Sequence, residues 1–151
     1  MRGFLAGWGV RILIIAIIAV GALVLRDRLS GNAGDLKVGD CFDEPAGATQ
    51  VDDVQHHPCT EAHTSEVVFV GDVPGDSKTY PALTAFDDYG VANCIPAFNA
   101  YTGRDFSSET ELTMGYFYPL AEGWGKGDRE MTCYAIRVDS KPVTASFKKA
   151  P

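Results

Sequence analysis

The chain has 151 residues, 13 Lys and Arg against 20 Asp and Glu, and a formal net charge of −7. That length suits one ordinary domain rather than two, and an apolar content of 46% excludes a disordered chain. Charge is unevenly placed: residues 29–151 hold 9 basic and 19 acidic residues, a net −10, which excludes nucleic-acid binding through phosphate neutralisation.

The first feature in chain order is an uncharged run of 14 residues from Ile12 to Leu25. As a helix it covers about 21 Å, short of a hydrocarbon core of about 30 Å. Extending it back through Arg11, whose long side chain can reach the interface, makes it long enough to span. The expectation is a short N-terminus at 1–6, a transmembrane helix at 7–25 and a polar linker at 26–35. A cleaved signal peptide is the alternative, but Arg26-Asp27-Arg28 is an unusual start for a cleavage region. The flanking arginines are near parity, so charge does not orient the helix. The cysteines do: Cys41, Cys59, Cys94 and Cys133 all follow the run, and an even number behind a membrane signal points to two disulfides in an oxidising space. The N-terminus is therefore expected in the cytoplasm and the body, residues 36–148, outside the cell membrane.

Four cysteines allow three connectivities. The sequential one, Cys41–Cys59 and Cys94–Cys133, is favoured because it closes two modest loops. Cysteine spacing excludes zinc ribbons and thioredoxin-type motifs. His56, His57, Cys59, Glu61 and His63 fall within eight residues, but they match no standard metal spacing, and a disulfide-bonded cysteine has no thiolate to offer. No metal and no cofactor is expected.

Within the body, residues 37–42 and 49–54 suggest short strands on either side of a turn-rich loop at 45–48. Residues 65–73, with Glu66-Val67-Val68-Phe69-Val70, suggest a strand apolar on both faces and hence central. Residues 81–101 repeat apolar positions at helical period through Leu83, Phe86, Gly90, Cys94, Phe98 and Tyr101. Pro81 suits the first turn, Gly103 the stop, and Pro96 predicts a kink or split. Residues 112–118 alternate as a strand, 119–128 read as a loop, and 130–138 and 143–147 as two more strands, with Lys148 and Lys149 fraying. The predicted class is α+β: a small disulfide-stapled antiparallel sheet with one main helix on one face.

Several residues in order carry a resemblance. They are Leu36-Lys37-Val38-Gly39-Asp40-Cys41-Phe42, Val54, Cys59, His63, Glu66-Val67, Tyr80-Pro81, Cys94, Tyr118-Pro119, Trp124-x-x-Gly127-Asp128-Arg129 and Cys133. Over about residues 36–147 the chain resembles the septum-formation-related domain of actinobacterial envelope proteins. The resemblance implies a role near cell division and no defined activity.

Two groups remain as candidate chemistry. His63 with Glu66 has the composition of a proton-transfer pair, which would suit an envelope hydrolase. Trp124 and Arg129 have the composition of a ligand contact, a ring to stack and a guanidinium to pair with a carboxylate. Each has a structural alternative: His63 orienting the chain before its strand, and Arg129 pairing with Asp40 or Asp128. No nucleophile sits in a recognisable elbow. The reading favoured by the sequence is a non-catalytic binding module, with Trp124, Arg129 and His63 as tentative contacts and an envelope or division protein as partner.

Overall fold

Two strands with buried residues on both faces lie within the sheet, and the rest of the fold is arranged around them. The structure is a computed structural model describing residues 31–44 and 53–150. The expected membrane helix and the loop at 45–48 lie outside the described residues, among which no helix is long and apolar enough to cross a membrane. The strands are β1 (Gly31–Asn32), β2 (Cys41–Asp43), β3 (Asp53–His57), β4 (Ser65–Asp72), β5 (Leu112–Phe117) and β6 (Glu130–Arg137). The helices are α1 (Leu83–Thr102) and the short α2 (Ala121–Gly125). The sheet order is β1-β3-β2-β4-β6-β5. Every pairing is antiparallel. β4 and β5 both run antiparallel to β6, so they are parallel to each other, with α1 as the crossover and β6 inserted between them.

The sheet is buried on both faces. Met131, Cys133 and Ala135 of β6 face α1 and join Phe86, Cys94 and Phe98. Tyr134 and Ile136, one residue out of phase, join Leu36, Phe42, Val54 and Val67 on the other face. In β4 the register shifts between Val67 and Phe69, where Val67 pairs with Tyr134 and Phe69 with Cys133. This bulge turns both Val68 and Phe69 towards α1.

α1 buries Phe86, Gly90, Cys94, Phe98 and Thr102, a stripe at four-residue spacing. Cys94 is bonded to Cys133 with Cα atoms 6.0 Å apart, which staples the helix to β6. Cys41 is bonded to Cys59, Cα–Cα 5.3 Å. The sequential connectivity is therefore the one present. The helix stops at Gly103, which takes φ 72° and donates its N–H to the Asn99 carbonyl.

The elements differ from expectation in several places. α1 is not split at Pro96; this residue is on the exposed side, where water can satisfy the carbonyl that proline leaves without a donor, and buried residues pin the helix on either side. Leu83 opens the helix but is 60% exposed. Residues 37–40 form a turn rather than strand: the Asp40 amide donates to the Lys37 carbonyl, the Asp40 carboxylate accepts from the Lys37 amide, and Gly39 takes φ 96°. The second strand extends to His57, beyond the expected end at residue 54. The loop at 119–128 contains α2, closed by the Trp124 amide donating to the Leu120 carbonyl. The strand expected at 143–147 is reduced to one bridge between Val143 and His63. Residues 31 and 32, within the expected linker, already pair with β3.

Candidate functional site

A buried carboxylate next to the central disulfide organises one end of the molecule. Glu66 is fully buried in β4 on the α1 side of the sheet. Its Oε1 accepts hydrogen bonds from the Tyr101 hydroxyl, near the end of α1, and from Ser146 Oγ at 2.5 Å. Its Oε2 accepts from the Phe147 amide at 2.5 Å. One carboxylate thus ties together the central strand, the end of the helix and the C-terminal segment. Burial and the Glu66 bond together push the Tyr101 phenol far above its ordinary range, so it stays a donor. The Lys149 amide donates to the Tyr101 carbonyl at 2.9 Å, and the Lys148 ammonium lies 5.8 Å from the centre of the Tyr101 ring. The tail expected to fray is therefore held in place.

His63 is also fully buried, but it is not paired with Glu66. Its Nδ1 donates to the Glu61 carbonyl at 2.8 Å, and Nε2 has no hydrogen-bond partner among the described residues. Its backbone forms both hydrogen bonds of the bridge to Val143, at 3.0 and 2.8 Å, and its ring packs edge-on against Phe147. The proton-transfer pair weighed from sequence is not formed: Glu66 lies under the end of α1, where the Tyr101 and Ser146 hydroxyls and the Phe147 amide occupy both of its oxygens. Elsewhere in the histidine-rich segment, His57 Nε2 lies 2.8 Å from the Asp43 carboxylate. The ligand atoms of Cys41, Cys59 and Glu66 lie within 4.8 Å of one another, but the two sulfurs are bonded to each other.

Trp124 and Arg129 are brought together at the other end of the β4–β6 ladder. That ladder runs from Ser65↔Ile136 to Asp72↔Glu130, roughly 20 Å, so His63 and the Trp124–Arg129 pair are separate features. Trp124 is 1% exposed, packs edge-on against Tyr80 and Phe86, and donates its indole N–H to the Asp76 carbonyl at 2.6 Å. The Arg129 guanidinium stacks 3.8 Å from the indole centre. It donates to the carbonyls of Trp124 and Asp128 and to Ser77 Oγ at 2.6–2.8 Å. Neither Asp40 nor the Asp128 carboxylate is its partner: Arg129 satisfies its donors on backbone carbonyls and the Ser77 hydroxyl, latching the 75–77 turn to α2. Gly75, φ 156°, gives the indole room, since a Cβ there would lie 2.6 Å from the ring.

One open apolar groove lies beside the Glu66 clip. It has a volume of about 840 Å³ and lies between α1 and the C-terminal segment, floored by Val68, Ala97 and Ala100. Tyr101, Ser146, Lys148 and Lys149 form the rest of its lining. Sequence reasoning missed this site. Its apolar part comes from small residues on the half-exposed side of a helix, and its lysines looked like an unstructured end.

The fold and these features define a small disulfide-stapled sheet-and-helix domain with a groove and with buried, structurally committed polar residues. The Septum formation family model matches residues 38–150, and the chain belongs to that family. No curated protein and no solved structure matches it significantly.

Proposed function

We propose that this chain is a membrane-anchored extracytoplasmic binding module of the bacterial envelope that serves septum formation without catalysing a reaction. Family membership supports the division role. The observation that carries the non-catalytic reading is the state of the two residues best suited to catalysis. His63 and Glu66 are both 0% exposed, His63 Nε2 meets no donor or acceptor among the described residues, and both Glu66 oxygens are occupied by structural donors. A general base must reach the proton it removes, and neither group reaches substrate or solvent. Anchoring rests on the apolar run before the fold and on the two disulfides.

Two experiments test this reading. A phosphatase fused after Pro151 should be active and a fluorescent protein there dark; the reverse pattern would defeat the topology. Depleting the chain should reduce septation, and His63→Asn, which keeps a donor for the Glu61 carbonyl, should restore it. A folded His63→Asn protein that fails to restore septation would favour the hydrolase reading.

A further inference from the structure

The groove combines an apolar floor with cations that pair with no carboxylate among the described residues. Among the described residues Arg104, Lys126, Arg137 and Lys141 stand within ion-pair distance of an acid, whereas Lys37, Lys78, Arg129, Lys148 and Lys149 do not, and of these five Lys148 and Lys149 line the groove. Both are exposed and lie side by side on the groove, in a body whose net charge is −10. Its occupant should therefore be anionic at one end and apolar along the rest.

The hydrogen bonding narrows this further. The Tyr101 and Ser146 hydroxyls donate to Glu66, the Lys148 amide donates to Ser146 Oγ, and the Lys149 amide donates to the Tyr101 carbonyl. The polar groups on the wall are committed inside the protein. An extended peptide laid on Val68, Ala97 and Ala100 would leave its own amides facing alkyl surface, which is unfavourable. An acyl chain has no such groups to satisfy. Five residues separate the uncharged run from Gly31, so a membrane helix there keeps the domain at the bilayer surface.

We propose that this groove takes an acyl chain of an anionic phospholipid from the membrane holding the protein, with Lys148 and Lys149 on its headgroup phosphate. The proposal rests on the reading of the chain as membrane-anchored with its body outside.

The test uses the full chain in phosphatidylcholine nanodiscs containing phosphatidylglycerol with a photoactivatable diazirine on its acyl chain. Adducts should map to Val68, Ala97, Ala100 and Tyr101. Replacing Lys148→Glu and Lys149→Glu together, both exposed and with backbone hydrogen bonds that the change leaves in place, should lower adduct yield by roughly tenfold. Ala97→Trp, which fills the groove and leaves the charges, should also abolish labelling. The same diazirine on phosphatidylcholine should label the groove only at background. Adducts confined to other surfaces, or equal in the charge-reversed chain, would overturn the proposal. So would an unlabelled groove whose lysines are shielded from amine reagents by an acidic protein segment, which would assign it to a peptide. An unlabelled groove with an active phosphatase fusion defeats the lipid site alone, whereas an inactive fusion defeats the anchor reading.

Discussion

Glu66 accepts from donors 35, 80 and 81 residues away in sequence, so its loss should be felt across the molecule. Glu66→Gln replaces one acceptor oxygen with a donor and leaves at least one buried group unpaired, at a cost of about 1–3 kcal/mol. Urea unfolding should register that loss, and limited proteolysis should cut residues 141–150 faster; unchanged cleavage would show that the clip does not hold the tail. Two phenols make the fold sensitive to alkali. Tyr101 donates to Glu66 and Tyr134 to Glu44, and burial followed by these carboxylates raises both phenols well above the ordinary value near 10. A raised folded-state pKa contributes stability that is present below pH 10 and lost as pH climbs towards the folded value. Urea midpoints should therefore fall above pH 10, and less steeply in Tyr134→Phe. Glu109 works in the opposite direction. The Glu111 amide, ahead of Arg104 and neighbouring amides, lowers its carboxyl to about 2. Its contribution holds above pH 4.5 and is lost as pH falls towards 2, a loss that Glu109→Gln should remove from acid titrations.

Cross-strand and helix–sheet contacts govern the elements. Gly115 of β5 sits opposite Tyr134 of β6, and a Cβ at Gly115 would run into the Tyr134 ring. That ring packs on Phe42 and Phe117, with centroids 5.2 and 4.9 Å away, so it has little room to move. Gly115→Ala should cost about 1–3 kcal/mol in thermal or urea unfolding. Cys133→Ser, which frees α1 from β6, should cost about 2–5 kcal/mol and lower the yield of folded protein. Strand alternation made β5 and β6 legible in the sequence and helical period made α1 legible, because each buries a regular face, while β4 was legible from its β-branched run, apolar on both faces. The bulge at Val67–Phe69 was hidden, since a doubly apolar strand gives no phase to read. α2 was hidden as well: its glycines suggest a loop, while burial of Trp124 makes a helical turn. Among the candidate residues, the closeness of Trp124 and Arg129 was readable from their spacing. The separation of His63 from Glu66 was not, because it depends on donors from Tyr101 and the distant Ser146–Phe147 segment.

At the scale of the whole molecule, β4 joins the two halves of the sheet. It pairs with β2 on one edge and β6 on the other, and it carries the carboxylate that holds the C-terminal segment. Between Asp72 and Glu130, where β4 ends and β6 begins, lie 57 residues, including all of α1 and β5. A chain emerging N-terminus first therefore exposes the free edge of β4, with its Val-Val-Phe-Val run, well before its permanent partner arrives. Cys94 emerges in the same interval with no Cys133 to bond, so under the proposed extracytoplasmic placement early oxidation can join it to Cys41 or Cys59 instead. Biogenesis should then depend on an escort that shields β4 and on an isomerase that reshuffles early disulfides. Chains arrested before Glu130 should accumulate as aggregates or mixed disulfides, while chains released after Phe147 should reach the native pairing.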